Sequence, residues 1–161
     1  MQLKFPFDSS SPILGEATVS IDKTIDRVFH FVGENFFDNY PKWAVEVVHF
    51  EPLDDNKNVS VGAKAKQIRK DNGAKIESVF EITDYQPHTL FGFQGINAPY
   101  KHTYLFECDE NTTPTKLTFR FELLELDVFM RPFQKLIRVA IEDGAENVVE
   151  NIKNLVVAEC H

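Results

Sequence analysis

Apolar and polar residues alternate along several short stretches of this chain, which is the pattern of half-buried β-strands. The first stretch covers residues 17–21, and six more lie between residues 45 and 124. Turn formers separate them, for example Asp71-Asn72-Gly73, at a spacing typical of an antiparallel meander. The later strands are predicted at residues 45–53, 62–69, 75–85, 89–94, 100–108 and 116–124.

Helical periodicity replaces this alternation in two places, the first of them directly after the first strand. Thr24 is a suitable N-cap for a short helix that Gly33 can end. A second short helix follows over residues 36–43, and we expect Pro41 to break it. The apolar positions of the first helix are Ile25, Val28, Phe29 and Val32.

The C-terminal segment carries one long apolar stripe, because apolar residues recur there at steps of three and four from residue 129 to residue 156. This predicts a helix of roughly 30 residues with Pro132 near its start. A sheet with one apolar face needs a cover, and the stripe supplies it. We therefore predict an α+β fold in which a seven-stranded, curved antiparallel sheet wraps around the C-terminal helix, with two short helices after strand 1.

Length and charge limit what such a fold can do. With 161 residues the chain is about one domain, which we place at residues 15–161 behind an N-terminal arm of residues 1–14. The net charge of −8 disfavours nucleic acid as a partner. No apolar run approaches the ~18 residues that stable membrane insertion needs.

The cysteines and histidines point to no redox or metal chemistry. Cys108 and Cys160 are expected to be reduced thiols in a cytoplasmic protein, because the first residues do not look like a secretion signal. The five histidines lack metal-ligand spacing and there is no phosphate-binding loop, so we expect no metal and no cofactor.

Several short stretches stand in a recognisable order along the chain. They are residues 19–21, 28–31, Tyr40-Pro41-Lys42-Trp43, 45–48, Val61-Gly62-Ala63, 81–87, 114–118 and the terminal helix through Glu159. In this order they resemble the START-like superfamily, also called SRPBCC or the polyketide cyclase/dehydrase group, over about residues 15–160.

That resemblance implies the helix-grip fold, with a pocket between sheet and helix for lipids, polyketides, steroids or isoprenoids. Members of the superfamily include cyclases, dehydratases, lipid carriers and hormone receptors. They share no catalytic motif, so the resemblance assigns no catalytic residue to this chain.

Phenylalanine is unusually frequent, with 15 Phe against 4 Tyr and 1 Trp. Phe has no polar tip, so these rings need an apolar environment, and we interpret the excess as the lining of a pocket rather than as bulk core. Alternation predicts which residues of three strands face the helix. They are Ile76, Ser78, Phe80, Ile82, Tyr100, His102, Tyr104, Phe106, Cys108, Leu117, Phe119, Phe121 and Leu123.

A few polar residues fall on these inward faces. Gln67 shares a strand face with Ala63 and Ala65, whose small side chains leave room for a cavity, whereas we interpret Arg69 as solvated. His102 would lie among Phe rings, where a neutral imidazole offers one donor and one acceptor. The predicted ligand-binding residues are Gln67, Phe80, His102, Tyr104, Phe106, Phe119, Phe121, Phe133, Ile137, Ile141, Gly144 and Val148.

Two further features could border such a pocket. Tyr40 and Trp43 are interpreted as structural residues at one end of the sheet, with a pocket gate as the alternative. The loop of residues 92–99, which contains two glycines, is a candidate lid.

The sequence leaves three functions open. The first is binding of a lipid-, polyketide- or isoprenoid-like molecule, apolar or amphipathic. The second is a cyclase or dehydratase that uses His102 and Tyr104 for proton transfer. The third is a protein-interaction module with an apolar rim around Phe91, Phe93 and Ile96. The oligomeric state stays open as well, and a homodimer is compatible with the sequence.

Overall fold

A computed structural model describes residues 12–54, 58–71, 73–110 and 113–159 of the chain. The strands are β1 (Ile13–Ile21), β2 (Val47–Pro52), β3 (Lys64–Asp71), β4 (Ala74–Gln86), β5 (Leu90–Gly95), β6 (Tyr100–Cys108) and β7 (Thr115–Leu123). The helices are α1 (Ile25–Phe29), α2 (Phe36–Trp43) and α3 (Gln134–Glu159). A π-helical turn (His30–Glu34) joins α1 to α2, and a 3₁₀ segment (Val128–Phe133) leads into α3.

The strands form one seven-stranded sheet in the order β1-β7-β6-β5-β4-β3-β2. Every neighbouring pair is antiparallel, and β1 closes the order by pairing with β7 from Ile13↔Leu123 to Ile21↔Thr115. The predicted α+β fold, with its seven strands, two short helices and long C-terminal helix, is therefore confirmed. β1 begins at Ile13, four residues before the predicted strand, and residues 1–11 of the predicted arm lie outside the described residues.

The short helices start as predicted but end differently. The side chain of Thr24 caps α1 by accepting a hydrogen bond from the backbone N–H of Arg27 at 3.4 Å. Gly33 does not end the helical segment, which continues through the π-helical turn. Pro41 lies inside α2 and does not break it, because Tyr40 and Trp43 on either side are buried against the sheet and hold the last turn in place.

An aromatic core fills the half of the sheet that α2 covers. The ring of Phe36 lies 4.7 Å from that of Phe91 and 5.2 Å from that of Phe93, and Phe80 stacks on Phe93 at 4.2 Å between centroids. Apart from Phe119, the buried phenylalanines of the core are Phe29, Phe31, Phe36, Phe80, Phe91, Phe93 and Phe106. Most of the phenylalanines that the structure describes thus belong to the packed core, and the interpretation as pocket lining is wrong for these seven.

The same burial removes the apolar rim expected of an interaction module. Phe91 and Phe93 are fully buried, and only Ile96 of the three is exposed. Gly92 and Gly95 belong to β5, so the candidate lid shrinks to the loop after that strand.

Helix α3 packs most deeply on the sheet from Ala145 onward, and Ile141 also lies against Gly15 of β1. Ala145, Val149, Ile152 and Val156 are buried there, and Asn151 donates a hydrogen bond to the carbonyl of Trp43 at 3.1 Å. No helix among the described residues is long and apolar enough to cross a membrane.

The N-terminal half of the predicted stripe does not face the sheet throughout. Phe129 is 83% exposed, Leu136 is 69% exposed and Phe133 is 49% exposed, so their predicted burial is wrong. The helix begins at Gln134, and Pro132 falls in the 3₁₀ segment before it. Ile76 is also exposed, because it lies near the turn between β3 and β4.

Candidate functional site

A cavity of about 410 Å³ lies between the sheet and the N-terminal half of α3. Small residues on the helix, Ala140, Gly144 and Ala145, leave this space, and a Cβ added to Gly144 would meet no atom within 4 Å. The helix wall consists of Ile137, Ala140, Ile141, Gly144, Ala145 and Val148, and the sheet wall of His102, Tyr104, Phe119 and Phe121. Tyr40 and Trp43 of α2 and the following residue, Ala44, also line it, and Glu46, Arg69 and Asp71 add charge.

Eight of the twelve predicted ligand-binding residues line this cavity: His102, Tyr104, Phe119, Phe121, Ile137, Ile141, Gly144 and Val148. The other four do not. Phe80 and Phe106 are buried in the core, Gln67 lies behind Tyr40, and Phe133 is half-exposed to solvent. The structure thus brings together the residues predicted from β6, β7 and α3, and the binding role of each stays a prediction.

His102 is the polar centre of the sheet wall. It is 5% exposed and packs among the rings of Phe93 at 4.4 Å, Phe121 at 5.0 Å and Phe119 at 5.3 Å. Its Nδ1 atom is buried without a hydrogen-bond partner. Burial lowers the pKa of His102 well below its usual value, and the nearby charge of Arg69 lowers it further, so the ring is neutral. A buried ring nitrogen without a partner is rare, and the residue that carries it is also one of those that line the cavity.

Tyr104 lies two residues further along β6 and faces the same cavity. Its hydroxyl oxygen accepts a hydrogen bond from the indole N–H of Trp43 at 3.2 Å. Burial raises the pKa of Tyr104 well above its usual value, so the phenol keeps its proton. With its oxygen accepting from Trp43, the hydroxyl can donate that proton to a further acceptor.

Arg69 and Glu46 form the charged side of the cavity. An Nη atom of Arg69 lies 3.3 Å from a carboxylate oxygen of Glu46, and both side chains are half-buried. Arg69, interpreted from the sequence as solvated, is thus only partly exposed and also lines the cavity. The sequence did carry a signal that Arg69 borders the cavity, because Arg69 lies on the same strand face as Gln67. Glu46 lies before β2 and follows no periodic pattern, so no such signal existed for it.

Gln67 is not part of the cavity lining but forms a hydrogen bond with Tyr40, which is. Its amide oxygen accepts from the Tyr40 hydroxyl at 2.8 Å, and its amide nitrogen donates to the Tyr100 hydroxyl at 3.1 Å. Ser78 bonds the same Tyr100 hydroxyl at 2.8 Å. Both ends of the fully buried amide are satisfied, so Gln67 fixes the inner wall and is not exposed to a ligand.

Tyr40 and Trp43, interpreted from the sequence as structural residues, lie both in the core and in the cavity wall. Cys108 carries a free, half-buried thiol, and Cys160 lies outside the described residues. Within residues 12–54, 58–71, 73–110 and 113–159, no group of three His, Cys, Asp or Glu side chains could hold a metal ion.

Comparison with known proteins agrees with this architecture. The sequence matches the family described as "Polyketide cyclase / dehydrase and lipid transport" over residues 13–157. This chain belongs to that family. The match confirms the START-like resemblance inferred from the sequence. No curated protein matches the chain significantly.

Solved structures of similar fold show low sequence identity. TTHA0849 from Thermus thermophilus has a TM-score of 0.74 at 14% identity, covering 92% of this chain and 99% of that chain. SA2116, a protein of unknown function from Staphylococcus aureus, has a TM-score of 0.72 at 13% identity, with 94% and 97% covered. The di-domain ARO/CYC StfQ of the steffimycin biosynthetic pathway has a TM-score of 0.72 at 11% identity, with 92% and 51% covered. At these identities the likeness shows the helix-grip fold alone.

Proposed function

We propose that this protein binds an apolar or amphipathic small molecule, of lipid-, polyketide- or isoprenoid-like character, in the cavity between the sheet and α3. The observation that carries the proposal is the cavity of about 410 Å³ itself, whose sheet wall combines the polar side chains of His102 and Tyr104 with the rings of Phe119 and Phe121. Small-molecule sites combine apolar walls with a few polar groups, and their volume is about 300–1,000 Å³.

The lining explains the expected ligand class. Phe119, Phe121 and the apolar residues of α3 supply surface that gains free energy when an apolar chain or ring displaces water. His102 and Tyr104 supply hydrogen bonds to one polar group of the ligand. The family description, which names both polyketide chemistry and lipid transport, is consistent with such a ligand.

Native mass spectrometry of the purified protein tests the proposal, followed by extraction and identification of what it carries. We expect one small apolar molecule per chain and, after its removal, saturable binding of the uncharged dye Nile red. Gly144→Leu should block both, because its side chain enters the open space beside Gly144, whereas Gly144→Ala should change little. An empty chain that also fails to bind Nile red would overturn the proposal.

A second candidate function, proton transfer, is favoured by one observation. His102, a neutral base, and Tyr104, a protonated acid, line the same cavity from adjacent inward positions of β6. A cyclase or dehydratase needs such a pair beside an acidic C–H group. Deuterium exchange into a bound β-diketone, followed by NMR, tests this function. Catalysed exchange that His102→Phe abolishes supports proton transfer. Equal exchange rates with and without the protein would contradict proton transfer and leave ligand binding as the function.

A further inference from the structure

We propose that the cavity selects ligands whose polar end is an uncharged hydrogen-bonding group, a hydroxyl or a ketone, over ligands that end in a carboxylate. This selectivity rests on the proposed function and specifies its ligand. It follows from how the charged groups around the cavity are already paired.

The charge around the cavity is compensated before any ligand enters. Of the described residues that line it, Arg69 is the one with a positive charge, and Glu46 lies 3.3 Å from its guanidinium. Asp71 adds a second carboxylate to the same lining. With His102 neutral, the lining carries one positive and two negative charges, so it offers no unpaired cation to an anionic ligand.

The polar atom that lacks a partner is itself uncharged. Nδ1 of His102 is buried, and the ring around it is in contact with Phe93, Phe119 and Phe121. A neutral imidazole offers one N–H donor, which suits a ketone, and one acceptor nitrogen, which suits a hydroxyl. A carboxylate placed there would be a buried charge surrounded by aromatic rings, which is unfavourable without an ionic partner.

A carboxylate ligand could instead compete for Arg69. It would then have to displace Glu46 from the guanidinium or share it, which places two carboxylates side by side. Like charges held this close repel each other, and the neighbouring Asp71 adds to that repulsion. Glu46 therefore acts against anionic ligands, and neutralising it should weaken the discrimination.

The test uses three ligands with the same chain length: decanol, decan-2-one and decanoate. Trp43 is the single tryptophan of the chain and lies in the cavity wall, so a change in its fluorescence emission reports binding. At about pH 7.5, where decanoate is ionised, we expect decanol and decan-2-one to bind about tenfold or more tightly than decanoate. Glu46→Gln should raise the affinity for decanoate relative to decanol.

Glu107→Gln is the matched control, because Glu107 is exposed on β6, pairs with Lys116 and lies outside the cavity lining. Glu107→Gln should leave the ratio of the affinities for decanol and decanoate as it is in the natural chain. Circular dichroism checks that Glu46→Gln and Glu107→Gln are both folded. Equal affinities for decanol and decanoate in the natural chain, or an unchanged ratio in Glu46→Gln, would overturn the selectivity while leaving the binding function standing. No saturable change in the Trp43 emission with any of the three ligands would contradict both.

Discussion

The indole of Trp43 donates a hydrogen bond to the hydroxyl of Tyr104 across 3.2 Å, and both side chains are almost completely buried. This bond joins the end of α2 to the middle of β6 at the inner wall of the cavity. Trp43 is held at its backbone as well, where its carbonyl accepts from Asn151 of α3. The residue therefore ties the helix, the sheet and the cavity wall together.

Tyr104→Phe should destabilise the protein, because it leaves the buried indole N–H of Trp43 without an acceptor. The expected loss is about 1–3 kcal/mol in the free energy of unfolding, measured by urea denaturation. The emission of Trp43 should change in the same variant, since its N–H loses its partner. Tyr85→Phe is the control, because Tyr85 is half-buried and has no part in the bond to Trp43. Equal losses for the two variants would contradict the role of this hydrogen bond.

Two glycines should respond to alanine in opposite directions. A Cβ on Gly15 would lie 2.9 Å from the backbone of Ile141, so Gly15→Ala forces β1 and α3 apart and should cost about 1–3 kcal/mol of stability. At Gly144 there is open space, and Gly144→Ala should gain up to about 1 kcal/mol from its helix propensity. Chemical denaturation measures both. A stabilising Gly15→Ala would contradict the close contact between β1 and α3.

Acid should destabilise the protein through His102. Its pKa is lowered by burial in the folded protein from the usual 6.5, so below that pH the unfolded chain binds a proton that the folded protein does not. The stability that depends on neutral His102 is fully present above about pH 6.5 and falls as the pH drops below it.

The natural chain and His102→Gln, which stays neutral, should therefore be compared by urea denaturation between about pH 7.5 and 5.5. The difference in their free energies of unfolding should shrink by up to about 1.4 kcal/mol per pH unit below pH 6.5, because only the natural chain carries the buried imidazole. Parallel curves for the two proteins across this range would show that His102 is not held neutral by burial.

Phenylalanines of the aromatic core and of the 3₁₀ segment should differ sharply in their contribution to stability. Phe93→Ala should cost about 3–5 kcal/mol, because it opens a cavity between Phe36 and Phe80. Phe129→Ala should cost less than about 0.5 kcal/mol, because Phe129 is 83% exposed. Thermal and urea denaturation of both variants give the comparison, and a large loss for Phe129→Ala would mean that this part of the chain is covered in solution.

Much of the fold could be predicted, because its signals are local. The alternation from Tyr100 to Cys108 gave the bounds of β6 as the structure has them, and it placed His102 and Tyr104 on the inward face. The side chain of Thr24 was recognisable as a cap from its position before an apolar helix. Such patterns depend on neighbours in the sequence, and these neighbours are visible without a structure.

What could not be predicted depends on how elements are placed relative to one another. The apolar stripe of α3 is continuous in sequence, yet the sheet contacts it closely at Val149 and leaves a cavity beside Gly144. Periodicity cannot distinguish a phenylalanine that fills the core, such as Phe80, from one that lines the cavity, such as Phe119. The pairing of Arg69 with Glu46 joins residues from β3 and from the loop before β2, and no spacing rule connects them.

The most direct test of ligand binding in this cavity is an NMR titration of the isotope-labelled protein with decanol. Signals of His102, Tyr104 and Ile141, which lie on opposite walls of the cavity, should shift together and saturate at one decanol per chain. Signals of Leu136 and Phe129, which are exposed and outside the cavity lining, should move far less. Shifts confined to the exposed residues, or no saturable shift at His102, would contradict the assignment of this cavity as the binding site.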